Sequence, residues 1–160
     1  MGMVLREVRD SDLDVFWEQF TDPEIQYMTA VTRAYHYDRA RFDTHWAKVR
    51  SDPAVTLRTV EVDGVVVGHA AVFGPPQERE VTYLIGRAHW GHGLATQALS
   101  ALLRLEDTRP LHGAAVADNA GSLRVMEKCG FTATGRIREF ADARGEEVDL
   151  VLLTLDRPVG

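Results

Sequence analysis

The sequence predicts one α/β (α+β) domain spanning residues 1–160, with a mixed, mostly antiparallel sheet flanked by helices. Three observations lead there. Two apolar runs, "AVTLRTVEV" and "VVVGHAAVFG", are joined by Asp63-Gly64, a pair that readily takes the positive backbone angles of a two-residue hairpin. A second pair of strand-like runs, "FTATGRIREF" and "EEVDLVLLTL", is joined by the polar turn "ADARGE". Between these pairs, strand-like and helix-like segments alternate, which no purely antiparallel hairpin stack would need.

The elements follow in order. "MVLREV", residues 3 to 8, suits a first strand, and "DSDLDVFWEQF" a helix with Asp10 or Ser11 as its cap. A short second helix is expected from Pro23 to Met28. From Asp38 to Arg50, Ala40, Phe42, Trp46 and Val49 recur at mostly helical spacing, and that helix ends before "SDP". After the hairpin, "REVTYLIG" reads as a third consecutive strand, antiparallel to its neighbour. The next helix runs from about Gly93 to Leu105, where Ala95, Leu99 and Leu103 form one row and Ala98 and Leu102 another. "LHGAAVA" is a short strand of small residues and "DNAGSLRVMEKC" a capped helix, with Gly130 where a helix usually stops. No repeat, linker or low-complexity tract divides the chain.

Composition narrows the function. Hydrophobic residues make up 45% of the chain, enough for a globular core, and the formal net charge of -6 argues against binding nucleic acid or an anionic membrane. No apolar run reaches the length of a membrane span, and "MGMVLREVRDSDLD" carries charges where a signal peptide needs an apolar stretch, so a cytoplasmic location is expected. Gly2 does not make a myristoylation motif, because Arg6 stands where Ser or Thr is needed. Cys129 is the single cysteine and reads as a small buried residue. His89 and His92 are three apart without a third ligand at matching spacing, so no metal is expected.

The segment "IGRAHWGHGLATQAL" leads from strand to helix through two glycines. A helix N-terminus presents unpaired backbone N–H groups and a partial positive charge, which together hold phosphate. Gly91 and Gly93 leave that surface bare, with Arg87 and His92 as added charge at its edge. A plain strand-to-helix turn would use the same glycines. Thr96 stands where a dinucleotide fingerprint needs its third glycine, and no Gly-Lys-Ser/Thr follows.

Trp90 to Leu99, "WGHGLATQAL", together with "DNAGSLRVMEKCGF", resembles the GNAT superfamily of acetyl-CoA-dependent N-acetyltransferases. The likeness is to the branch that contains the ribosomal-protein N-terminal (RimJ/RimL-type) acetyltransferases. Asn119 to Ser122 matches its Asn-x-x-Ser helix start, Lys128 to Phe131 its Lys-x-Gly-Phe ending, and Asp149 its acidic residue before a late apolar strand. The resemblance implies splayed fourth and fifth strands, with the pantetheine arm of acetyl-CoA pairing along Tyr83, Leu84 and Ile85. It implies a pyrophosphate cradle of Trp90, Gly91, Gly93, Leu94, Ala95 and Thr96, and a contact from Asn119 to the pantetheine arm.

By the same resemblance a neutral amine attacks the thioester directly. Glu80 is then the expected base, acting through a water, although it also reads as a solvated strand-edge charge. Backbone N–H groups near Leu84 and Ile85 are the expected oxyanion donors. Met126 stands where many superfamily members have a tyrosine acid, which leaves Ser122, or solvent, to protonate the thiolate. The acceptor pocket is expected from Trp17, Phe20, Tyr27, Met28, Tyr35, Tyr37, Trp46 and Phe140, with most of these rings in the core and His36 nearby. The acceptor is a peptide N-terminus or a small-molecule amine, and the protein a monomer or homodimer. The alternative is an inactive acyl-CoA-binding regulatory module, a reading that the missing tyrosine favours.

Overall fold

A computed structural model describes residues 2–30 and 38–156. Asp63 and Gly64 take φ of 51° and 83°, closing β2 (Thr56–Val62) onto β3 (Val65–Phe73) as the Asp-Gly pair predicts. β1 (Met3–Arg6) pairs with the outer side of β2, and β4 (Glu80–Ile85) with β3, all antiparallel. β5 (Leu111–Val116) lies parallel to β4, then β7 (Glu146–Leu155) and the edge strand β6 (Thr132–Ala141) complete a seven-stranded sheet of order β1-β2-β3-β4-β5-β7-β6.

Helices cover both faces. α4 (Leu94–Leu105) and α5 (Ala120–Lys128) bury Leu94, Ala98, Leu99, Leu102 and Met126 against Val60, Val72, Val81 and Ile85. On the other face, α1 (Asp12–Phe20) and α3 (Arg39–Ser51) bring Phe16, Phe42 and Trp46 onto Leu57 and Ala71. α2 (Pro23–Thr29) lies beyond α1, at the end of β5. Full burial of each of the larger side chains among these is worth roughly 1.5–3 kcal/mol, so these two layers carry the fold.

Two sequence expectations need correction. The first strand ends at Arg6, short of Val8. Ser11 is the N-cap residue of α1, yet neither its side chain nor that of Asp10 caps the helix. Asp12 turns inward instead, taking the Arg9 N–H at 2.9 Å, the Thr59 hydroxyl at 2.7 Å and a paired contact from Arg6 at 2.8 and 3.0 Å. β3 also carries a bulge: Val60 pairs with Gly68 and Glu61 with Val66, so Val67 is extra in β3 and reverses its in-out alternation. Val66 therefore faces the same aromatic layer as Ala71, which strict alternation would forbid.

Candidate functional site

β4 is paired along its whole length on one side and at a single point on the other. It matches β3 from Phe73–Glu80 to Gly68–Ile85, but its only registered partner in β5 is Glu80 with His112. His112 N–H donates to the Arg79 carbonyl at 2.9 Å, and beyond that point the two strands diverge. Backbone groups alternate sides along a strand, so those of Tyr83 and Ile85 face the opening. Those of Leu84 face β3, where its carbonyl presses over Gly68 so closely that any Cβ there would collide with it. Of the two expected oxyanion donors, the Ile85 N–H faces the gap, and Leu84 gives its place to Tyr83.

The opening leads into a cavity of about 440 Å³. Tyr83, Leu84 and Ile85 form one wall, and Trp90, Gly91, Gly93, Leu94, Ala95 and Thr96 the end beyond β4. Asn119 and Ser122 from α5 form the opposite wall. Eleven of the residues expected at the cofactor and catalytic site thus meet around one space.

The glycine end is built for an anion. Gly91 and Gly93 have φ of 83° and 73°, a region where side chains are strained, and a Cβ on either would project into open space. The first helical hydrogen bond of α4 runs from Gln97 N–H to the Gly93 carbonyl at 3.1 Å, which leaves the N–H groups of Leu94, Ala95 and Thr96 without helical acceptors. Asp22, Asp38 and Asn119 cap α2, α3 and α5 with their side chains, while α4 has no side-chain cap. Trp90 braces this loop: its indole N–H donates to the Ile85 carbonyl at 2.7 Å.

Other expected residues lie elsewhere. Arg87 pairs with Asp22 at 3.1 Å, tying the loop to α2, and neither it nor the exposed His92 lines the cavity. Glu80 is exposed at the closed end of β4 and does not line it either. No carboxylate lines the cavity among the described residues. Trp17, Phe20 and Trp46 pack in the aromatic core, Tyr27 lies under the Arg144 guanidinium at 4.1 Å, and Phe140 is exposed on the edge strand. Met28 alone of the expected acceptor residues reaches the cavity, while Tyr35, His36 and Tyr37 fall outside the described residues.

Asn119 is engaged at both ends. Its Oδ1 accepts the Ser122 N–H at 3.2 Å, capping α5, and its amide donates to the Met28 carbonyl at 3.3 Å, fixing α5 to α2. Ser122 Oγ lies 2.8 Å from the Tyr83 phenol oxygen. Burial pushes the Tyr83 hydroxyl up to about 12, so it stays protonated through the neutral range. The Cys129 thiol, also raised by burial, contacts the Thr96 carbonyl at 3.7 Å and is no ready nucleophile.

Sequence reasoning missed Ile25 and Thr29 from α2, His89 after β4, and Arg124, Val125 and Lys128 from α5. Arg124 and Lys128 left a readable trace, since residues four apart share a helix face. The α2 residues left none. Among the described residues no cluster of three or more His, Cys, Asp or Glu is arranged to hold a metal ion, and no helix is long and apolar enough to cross a membrane.

The family model described as acetyltransferase (GNAT) domain matches residues 3–132. An uncharacterized N-acetyltransferase p20 of Bacillus licheniformis is 24% identical over 163 aligned residues, covering 96% of this chain and 92% of that protein. The structure of a spermidine N-acetyltransferase from Vibrio cholerae, in complex with CoA and spermine, superposes with a TM-score of 0.83 at 16% identity, covering 98% and 96% of the two chains. A ribosomal-protein-alanine N-acetyltransferase from Brucella melitensis superposes with a TM-score of 0.78 at 20% identity, covering 96% and 99%. At these identities the superpositions speak for the fold.

Proposed function

The chain belongs to the GNAT acetyltransferase family, and from that premise we propose that it moves an acetyl group from acetyl-CoA to a primary amine by direct attack. One observation carries the proposal: a single cavity runs from the uncapped N-terminus of α4, along the open edge of β4, to the Ser122 hydroxyl. That sequence of surfaces matches acetyl-CoA part by part. The pyrophosphate takes the free N–H groups of Leu94, Ala95 and Thr96, and the cations of Arg124 and Lys128 stand at the same cavity. The pantetheine amides take the backbone groups of Tyr83 and the N–H of Ile85, whose carbonyl already holds the Trp90 indole, extending β4 where β5 has moved away. A developing oxyanion is then held by N–H groups already fixed by the sheet.

The amine loses its ammonium proton to solvent and attacks as the free base. Glu80, outside the cavity, supports no direct contact with it. The acceptor end of the cavity includes the apolar side chains of Ile25 and Met28, which suit an amine carried on an apolar or peptide body. A peptide N-terminus and a small-molecule amine both meet that description. The intracellular acetyl-CoA pool and the chain's single cysteine suit a cytoplasmic site of action.

Titration with acetyl-CoA, followed by a free-thiol release assay over a panel of amines and peptides, tests the reading. Binding followed by thiol release with at least one amine is expected. Tight binding with no release on any amine would leave the chain an acyl-CoA-binding module and refute the enzyme.

A further inference from the structure

Two hydroxyls from opposite walls of the cavity meet across the β4–β5 gap. Tyr83 leaves β4 on the face that carries Val81 and Ile85, which is the face covered by α4 and α5. Its phenol oxygen reaches α5, 2.8 Å from Ser122 Oγ and 3.2 Å from the Ser122 carbonyl. Both side chains line the cavity. Met126, one turn along α5, is 3% exposed, has no proton to give and lies against the space beside Gly113.

A lone serine is a poor proton donor, because the alkoxide it would leave in a half-buried site is poorly solvated. At 2.8 Å either hydroxyl can be the donor, and a phenol donating to Oγ changes that. It stabilises charge on Oγ as the proton leaves, and it occupies a lone pair so that the serine's own hydrogen turns away from Tyr83.

We infer that Tyr83 and Ser122 work as one proton-delivering pair for the departing thiolate, with Tyr83 as the positioning residue that orients and polarises Ser122. The inference rests on the acetyl-transfer reading above. In the step, the amine's electron pair forms the N–C bond and the C–S bond breaks, its pair going to sulfur. Sulfur takes the Ser122 proton, Ser122 Oγ takes the Tyr83 proton, and water returns a proton to the phenolate while accepting the surplus proton of the amine. The products are an amide and a free thiol, with no net change in either residue.

Tyr83→Phe keeps the ring and removes the hydroxyl. Turnover is expected to fall about 10²-fold while the Kd for acetyl-CoA stays within about twofold. Ser122→Ala should do the same, Ser122→Thr should recover part of the rate, and the double variant Tyr83→Phe with Ser122→Ala should be no slower than the slower single variant, as for residues acting as a unit. Wild-type turnover in Tyr83→Phe, or losses that multiply in the double variant, would overturn the pair. Should the phenylalanine variant not fold, 3-fluorotyrosine at position 83 supplies a more acidic phenol in the same place. The alkaline limb of kcat is then expected at lower pH, and an unmoved limb counts against the inference. Failure of the acetyl-transfer reading looks different, as no thiol release by the unaltered protein with any amine, and it removes the pair as well.

Discussion

The two ends of β4 differ in one respect, and the site follows from it. At Glu80 the strand has neighbours on both sides, β3 through Phe73 and β5 through His112. At Ile85 it keeps β3 and has lost β5. Five residues of strand span roughly 17 Å, so the closed end and the open end are distinct environments within one short element. A charged group at the closed end, such as Glu80, serves solvent. Backbone at the open end is left with unmade hydrogen bonds that a ligand can complete. A carboxylate on the right strand is therefore insufficient evidence of a base, because position along the strand decides what it can reach.

The largest expected effect lies at the open end. Gly93→Glu should weaken acetyl-CoA binding about 10³-fold or more, because it strains a residue with φ of 73° and adds a negative charge at the end of the cavity proposed to take the pyrophosphate. Unchanged affinity in a folded variant, measured by calorimetric titration, would move the phosphate site elsewhere. A comparable loss, in stability alone, belongs to the fully paired part of the sheet. Asp12→Ala removes the partner of the Arg6 guanidinium, the Arg9 N–H and the Thr59 hydroxyl, and should cost about 3 kcal/mol in denaturant unfolding with the affinity of the folded protein kept.

The same carboxyl gives a pH dependence. Burial alone would raise the Asp12 value, but its hydrogen bonds from Arg6, Arg9 and Thr59 outweigh burial and hold it at about 2, below the ordinary 3.8. Its contribution is therefore complete above pH 4 and is lost as pH falls from about 4 towards 2. Thermal midpoints of wild type and Asp12→Asn should converge over that interval, and a constant gap would show that the contact is not charge-dependent.

Smaller effects sharpen the boundary of the site. Lys128→Ala should weaken acetyl-CoA binding by about three- to tenfold at low salt and by less at high salt, since an exposed cation acts through a screened field. Salt-independent loss would point to packing. Smallest of all is Glu80→Gln, which should leave kcat within about threefold. A fall of 10²-fold or more across the pH range, on the scale of a lost general base, would bring the closed end back into the mechanism.

Much of this arrangement was legible beforehand wherever the information is local. The Asp63-Gly64 turn, the helix stop at Gly130 and the apolar stripe of α4 each depend on residues within a few positions of one another, and each stands as read. The glycine loop was legible for the same reason, since a backbone that needs positive φ announces itself by composition. Trp17 and Trp46 were harder, because an aromatic at helical spacing suits a pocket wall and a core equally well. The partner decides between them: Phe16 and His69 sit 4.9 Å from the Trp46 ring, which is buried in the aromatic core.

The sequence by itself determined the elements, their order and the glycine turn before α4, because each rests on short-range sterics and hydrogen bonding. Tertiary structure alone decided which of the proposed groups share a space. Tyr83 and Ser122 are 39 residues apart and meet at 2.8 Å, while Arg87, three residues before the motif, turns away to Asp22. Sequence spacing carries no distance across a sheet, and the departure of β5 from β4 is a packing outcome of the whole domain.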